Sequence, residues 1–130
     1  MKKYLNIVIL SLALITILSS CKKEATTTTT NDDYYVKYAI KGNGTYIYFN
    51  NFSVNSDKGN VSFSGYQYKS WTQTYGPVKK GFKASVTVQS GYVTVEIYIS
   101  KNNGAFALKA SKSGNNSSTS NISQSYTIDF

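Results

Sequence analysis

The stretch FKASVTVQSGYVTVEIYIS, Phe82 to Ser100, alternates apolar and polar residues twice over. In its first half Phe82, Ala84, Val86 and Val88 share one side, while Lys83, Ser85, Thr87 and Gln89 share the other. In its second half Val93, Val95, Ile97 and Ile99 oppose Tyr92, Thr94, Glu96 and Tyr98. A period of two is the signature of strands with one buried face, because successive side chains leave a strand on opposite sides. Ser90-Gly91 between the halves predicts a two-residue hairpin loop.

Working outward, the same period recurs. Lys101-Asn-Asn-Gly104 predicts a turn into Ala105–Ser111, with Phe106, Leu108 and Ala110 in register on the apolar side. Upstream, Tyr34–Ile40 and Thr45–Phe49 flank Gly42-Asn43-Gly44, a second hairpin signal, and 60–68 alternates through Val61 and Phe63. Downstream, Gly114–Asn121 reads as a polar loop, and Tyr126, Ile128 and Phe130 alternate to the end of the sequence. After the first 33 residues no segment carries a helical period. The expectation is an all-β domain over 34–130: an Ig-like antiparallel β-sandwich of seven or eight strands, with a small barrel as the other closure. About a hundred residues suffice for such a core without disulfides.

The N-terminal part differs in kind. Met1-Lys2-Lys3 precedes an apolar run of roughly 14 residues, the build of a secretory signal peptide and too short for a spanning helix. Leu18-Ser19-Ser20-Cys21 resembles the bacterial lipobox, in which an aliphatic and two small residues precede the cysteine. The resemblance implies cleavage of 1–20, a diacylglyceryl thioether on Cys21 and acylation of the freed amine. Two or more acyl chains give stable anchoring, at about 0.8 kcal/mol per buried methylene. Residues 21–33 then form a flexible Thr-rich tether with too little apolar surface to order itself; its dozen residues after Cys21 extend to roughly 40 Å. Lys22-Lys23-Glu24 partly resembles the surface-export signal of some diderm lipoproteins. The expected address is the bacterial outer membrane, with the periplasmic and outer sides both left open.

Charge and composition narrow the chemistry. Of 14 basic residues, loss of Lys2 and Lys3 leaves 12 against 6 acids, a net +6, and every one is lysine. Apart from Lys79, Lys80 and Lys83 they are scattered, and the arginines that read phosphate and guanine are missing, so no nucleic-acid partner is expected. With no histidine and no cysteine besides Cys21, proton transfer, thiol chemistry and common metal sets have few bearers. Glu96 is expected as a solvent-facing carboxylate beside a cross-strand lysine. The turn Asn55-Ser-Asp-Lys-Gly-Asn60 has one carboxylate where a calcium loop has several. No catalytic residue, metal site or cofactor is expected.

Tyrosine is the surplus, with 12 tyrosines and one tryptophan. The alternation turns Tyr46, Tyr48, Tyr66, Tyr68, Tyr92 and Tyr98 outward. Such rings supply amphipathic contact area at low entropy cost. Gly65–Tyr75 is the densest such stretch, and Tyr66, Tyr68, Trp71 and Tyr75 are the candidate ligand-binding residues, for a protein or glycan partner. The competing reading makes the tyrosines cross-strand pairs and Trp71 a core residue.

Val36-Lys-Tyr-Ala-Ile-Lys-Gly-Asn-Gly44, Tyr46–Phe49, Trp71 ahead of Lys79-Lys80-Gly81, and the strands Phe82–Gln89 and Val93–Ile99 together resemble the extracytoplasmic domain of the MmpS family (mycobacterial membrane protein, small). The resemblance covers most of 36–110 and implies a β-sandwich serving as accessory subunit to an envelope export complex. The lipobox leader, the cysteine-free domain and the long Gly114–Phe130 segment depart from that family's pattern. The expected function is a lipid-anchored envelope lipoprotein with a non-catalytic binding or assembly surface; an export-complex subunit is the alternative.

Overall fold

A computed structural model describes residues 31–45 and 48–130. The leader, Cys21, the tether as far as Thr30, and Tyr46 lie outside the described residues.

The described residues form an all-β sandwich in which ten strands are seen. In chain order they are β1 (Tyr34–Gly42), β2 (Tyr48–Phe49), β3 (Phe52–Ser56), β4 (Gly59–Phe63), β5 (Gln67–Tyr68), β6 (Ser70–Val78), β7 (Lys83–Val88), β8 (Val93–Lys101), β9 (Ala107–Ser113) and β10 (Ile122–Thr127). The first sheet runs β6-β1-β8-β9, the second β10-β7-β3-β4, and β2 pairs with β5 as a separate two-stranded ribbon. All pairings are antiparallel.

The count exceeds seven or eight for identifiable reasons. Gly65, at φ 98°, interrupts the expected strand 60–68, leaving β4 and β5 in different sheets. β3 and β6 have too few apolar residues to show a period; β6 sits at a sheet edge, where Gln73 occupies an inward position yet remains exposed. The last strand begins earlier than Tyr126, at Ile122, which is buried.

The deciding stretch forms two strands as its alternation requires, but not a hairpin. β7 is interior to the second sheet and β8 to the first, so Ser90-Gly91 carries the chain across the core. Turns that fold adjacent strands back need positive φ at one or both central residues. Neither Ser90 nor Gly91 has it, whereas Asn102 and Asn103 stand at φ 50° and 60° and close a true hairpin between β8 and β9. The crossing is tied down by the polar loop: Gly91 N–H donates to Ser117 C=O (2.9 Å), and Asn116 N–H to Gly91 C=O (2.9 Å). Gly42-Asn43-Gly44 is likewise no hairpin. Asn43 N–H is held by Tyr92 C=O (2.7 Å), and the chain leaves the first sheet to form β2.

A bulge corrects the reading of β9. Ile97 pairs with Ala110 but Tyr98 with Leu108, so Lys109 is the extra residue. The shift moves Leu108 and Phe106 to the outer face, 52% and 37% exposed. Between β1 and β6 a second irregularity falls beside Gly76, at φ 136°. A Cβ there would lie 2.8 Å from Tyr34 C=O, so the close approach requires glycine.

The core joins both sheets: Val36, Tyr38, Ile40, Val93, Val95, Ile97 and Ile99 from one, Phe52, Val54, Ala84, Val86, Val88 and Ile122 from the other. Tyr38 is fully buried, yet its hydroxyl has two backbone partners in the opposite sheet. It donates to Asn55 C=O (2.6 Å) and accepts from Ser85 N–H (3.2 Å). The β3–β7 ladder ends one step earlier, at Val54 opposite Val86, so the phenol oxygen occupies the place of the next cross-strand bond. Burial drives the Tyr38 pKa far above the ordinary phenol range, which keeps the donor protonated. At the margin, Tyr34 hydroxyl donates to Phe130 C=O, and Asp32 and Asp33 bind Lys101 (2.7 Å) and Lys79 (2.6 Å).

Replacing Tyr38 with Phe leaves the ring and deprives Asn55 C=O and Ser85 N–H of their partner. The expected loss is about 1–3 kcal/mol, read as a lowered urea midpoint. Faster amide exchange at Ser85 than at Val95 locates the effect.

Candidate functional site

The aromatic stretch divides where Lys69 adopts φ 62°. Before it, Gln67-Tyr68 pairs with Tyr48-Phe49, placing Tyr48 opposite Tyr68 and Phe49 opposite Gln67. Phe49 turns inward, buried against Phe52 at 5.8 Å between ring centroids, and anchors the ribbon to the core. By alternation Tyr48 and Tyr68 then face solvent, 59% and 54% exposed, with their rings 5.3 Å apart. Tyr66, just ahead of β5, is 78% exposed. Lys69 Nζ lies 5.1 Å from the Tyr68 ring centroid, a cation–π contact at the rim.

Beyond Lys69 the aromatic side chains serve packing. Trp71 and Tyr75 pair with Ile40 and Val36 and share their inward face. The Trp71 ring meets Phe52 at 4.8 Å and Phe63 at 5.0 Å, while Tyr75 meets Tyr38 at 6.0 Å. Both are half-buried. Of the four candidate residues, Tyr66 and Tyr68 are thus presented to solvent, and Trp71 and Tyr75 close the core at the β6 edge. Tyr48 and Lys69 complete the cluster in their place. Tyr48 was legible as an outward residue, but its pairing with Tyr68 depends on a contact between strands 20 positions apart in sequence.

Two other surfaces carry polar chemistry. Ser53, Ser62 and Thr87 occupy one cross-strand row on the outside of the second sheet, and with Asn51, Phe52, Phe63 and Gln89 line a shallow depression of about 270 Å³. The row continues to Ser123, whose hydroxyl lies 3.0 Å from that of Thr87. Thr87 was legible as an outward residue, but its alignment with Ser53, Ser62 and Ser123 across four strands was not.

On the outside of the first sheet, Lys37 Nζ lies 4.5 Å from the Tyr98 ring centroid and 4.7 Å from that of Phe106. Glu96 has the cross-strand lysine expected of it: Lys41 Nζ stands 2.8 Å from its carboxylate, and Tyr98 hydroxyl donates to the same oxygen at 2.7 Å. Burial raises the Glu96 pKa, but these two hydrogen bonds and the charge of Lys41 outweigh it and the net shift is downward. Two donors converging on one oxygen favour the ionised form of this carboxyl. Among the described residues no three metal-ligating side chains converge.

Two outcomes check this partition. Trp71→Ala, which opens a hole beside Phe52 and Phe63, is expected to cost about 3 kcal/mol, whereas Tyr66→Ala stays within about 0.5 kcal/mol; chemical denaturation separates them. For Glu96, a lowered folded pKa means that its contribution is present above the unfolded carboxyl range and lost as pH falls through the folded value. Water screens the half-exposed Lys41, so the effect stays under about 1 kcal/mol. Glu96→Gln is expected to flatten that acid limb in denaturation curves taken from neutral pH to below about pH 4.

Comparison of the chain with protein-family models, with curated proteins and with solved structures found no match, so the functional reading stands on geometry.

Proposed function

We propose that this chain is a lipid-anchored, non-catalytic binding domain of the bacterial outer membrane, tethered through Cys21 and recognising ring-faced ligands, glycans first among them, on the Tyr48–Tyr66–Tyr68 ribbon. The observation that carries this reading is the exposure of those three rings, from 54% to 78%, on an element of only two short strands. So small a ribbon gains little from pairing alone. Large rings held in water on a scaffold anchored by Phe49 are suited to contact rather than to folding.

The chemistry matches the ligand class. A tyrosine face is apolar and weakly negative, and stacks on the C–H face of a sugar ring. Its hydroxyl meets the ring's hydroxyls at the edge. Lys69 adds a positive charge beside Tyr68, where acidic substituents on a glycan gain from it. The lipobox at Leu18–Cys21 supports the anchor, and the Thr-rich segment that follows supplies reach above a membrane surface.

The full chain, solubilised in detergent, is expected to bind members of a glycan array. Tyr48→Ala/Tyr66→Ala/Tyr68→Ala is expected to weaken that binding at least tenfold, at about 0.5–1.5 kcal/mol per ring contact. Fluorescence of Trp71, the single tryptophan, certifies that the core is intact. Absence of array binding, or binding indifferent to the three substitutions, refutes the site. Retrieval of the chain in a stable membrane complex instead favours the export-subunit role. In the producing cell, Cys21→Ser is expected to abolish incorporation of labelled fatty acid and release the domain from membranes; unchanged membrane retention refutes the anchor.

A further inference from the structure

Each sheet of an open sandwich has two edges, and an edge strand exposes backbone donors and acceptors that pair with any strand offered to them. Three of the four edges here are blunted. β9 carries a bulge at Lys109 and a second cation at Lys112, whose Nζ reaches Ser123 C=O of β10 at 3.5 Å, so β9 and β10 guard one another. β4 is five residues long. β6 is the longest of the four: nine residues, SWTQTYGPV, uncharged, with its irregularity beside Gly76 and its Pro77 confined to the C-terminal end.

The phase of the β6 ladder follows from two hydrogen bonds at the strand ends. Gly42 N–H donates to Lys69 C=O (2.9 Å), so Lys69, and by alternation Trp71, Gln73 and Tyr75, direct their backbone groups to β1. Asn43 N–H donates to Tyr92 C=O (2.7 Å), which gives the complementary residues of β1 to β8 and agrees with that assignment. Ser70, Thr72 and Thr74 therefore direct their N–H and C=O groups away from the sheet. All three side chains are exposed as well.

The sequence of this edge is nearly its own mirror image. Around Gln73 stand Thr72 and Thr74, then Trp71 and Tyr75, two aromatic residues, then Ser70 and Gly76, two small ones. An antiparallel pairing of two copies about a two-fold axis sets residue i opposite residue j and j opposite i. Centred on Gln73, such a pairing places Thr72 opposite Thr74 of the second copy, and the phase derived above makes both Thr pairs hydrogen-bonded ones. Trp71 then faces Tyr75 of the second copy, so each half-buried ring covers the other. Lys69 meets Pro77 rather than another lysine, and Pro77, which lacks an N–H, stands where the pairing ends.

From this we infer that the β6 edge is a self-association surface, on which a second copy of the chain adds its own β6 antiparallel about Gln73 to make one continuous eight-stranded sheet. The second copy is the occupant that the mirror symmetry selects, since a foreign peptide needs no such symmetry. The absence of charge lets two copies of a net-positive protein meet there and not at β9. The pairing shares only Lys69, at its end, with the tyrosine ribbon and none of the three exposed rings, so it does not rest on the proposed ligand.

The test places a thiol on the axis. In a central non-hydrogen-bonded pair the Cα atoms lie about 4.5 Å apart, within disulfide range. Gln73→Cys in the full chain, produced in its own cell and oxidised mildly, is expected to give a species of doubled mass that reductant collapses. Lys112→Cys, also exposed and on the β9 edge, is the control and is expected to stay single. Gln73→Lys and Gln73→Glu, each alone, are expected to run as single copies in detergent. Mixed, they restore the pair, an outcome that a merely unfolded variant cannot produce. Cross-linking of Gln73→Cys no greater than that of Lys112→Cys, its cross-linking to a different protein, or mixing without pairing each overturns the inference.

Discussion

One hydroxyl, that of Tyr38, holds the two sheets to a single relative position. A phenol cannot be buried without partners, since leaving its donor and acceptor unmet costs as much as the ring's burial returns. Here the partners are the carbonyl of Asn55 and the amide of Ser85, on adjacent strands of the sheet opposite. Sheets that face each other through apolar side chains alone can slide, because hydrophobic contact has no direction. A hydrogen-bonded pair reached across the core removes that freedom. The β3–β7 ladder accommodates it by ending at Val54 and Val86, so a local gap in one sheet is the receptor for a side chain of the other.

The aromatic residues around Tyr38 extend this lock to the β6 edge and separate packing from display. Tyr75 rests on Tyr38, and Trp71 closes over Phe52 and Phe63, so the inward rings of β6 complete the core at that edge. On the N-terminal side of Lys69, at φ 62°, the rings of Tyr66 and Tyr68, with Tyr48, face water. Four residues chosen together by composition thus belong to two structures with opposite purposes. What sorts them is their parity along the strands: Tyr66 and Tyr68 fall on outward positions, Trp71 and Tyr75 on inward ones, which composition does not report.

The turns teach the same lesson. Ser90-Gly91 and Lys101-Asn-Asn-Gly104 look alike as short polar connections between alternating strands. Only the second adopts the paired positive φ values that return a strand beside its neighbour. The first joins two strands whose inward residues are all fully buried, and these occupy interior places in separate sheets. In β9 the alternation of Phe106, Leu108 and Ala110 was real, but one bulged residue, Lys109, reversed the side on which the first two lie.

By itself the sequence determined that this protein is built of strands, which residues of most strands turn inward, that Glu96 lies outward beside a lysine, and where turns occur. These are properties of the chain's period of two and of individual residue types, and they act over a few neighbours. Only the tertiary structure decided which strands lie side by side, that Tyr48 meets Tyr68, that Trp71 belongs to the core, and that a strand as polar as β6 forms at all. Those outcomes rest on contacts between residues far apart in the chain, where one buried hydroxyl or one extra residue in a ladder shifts the balance among pairings of nearly equal local merit.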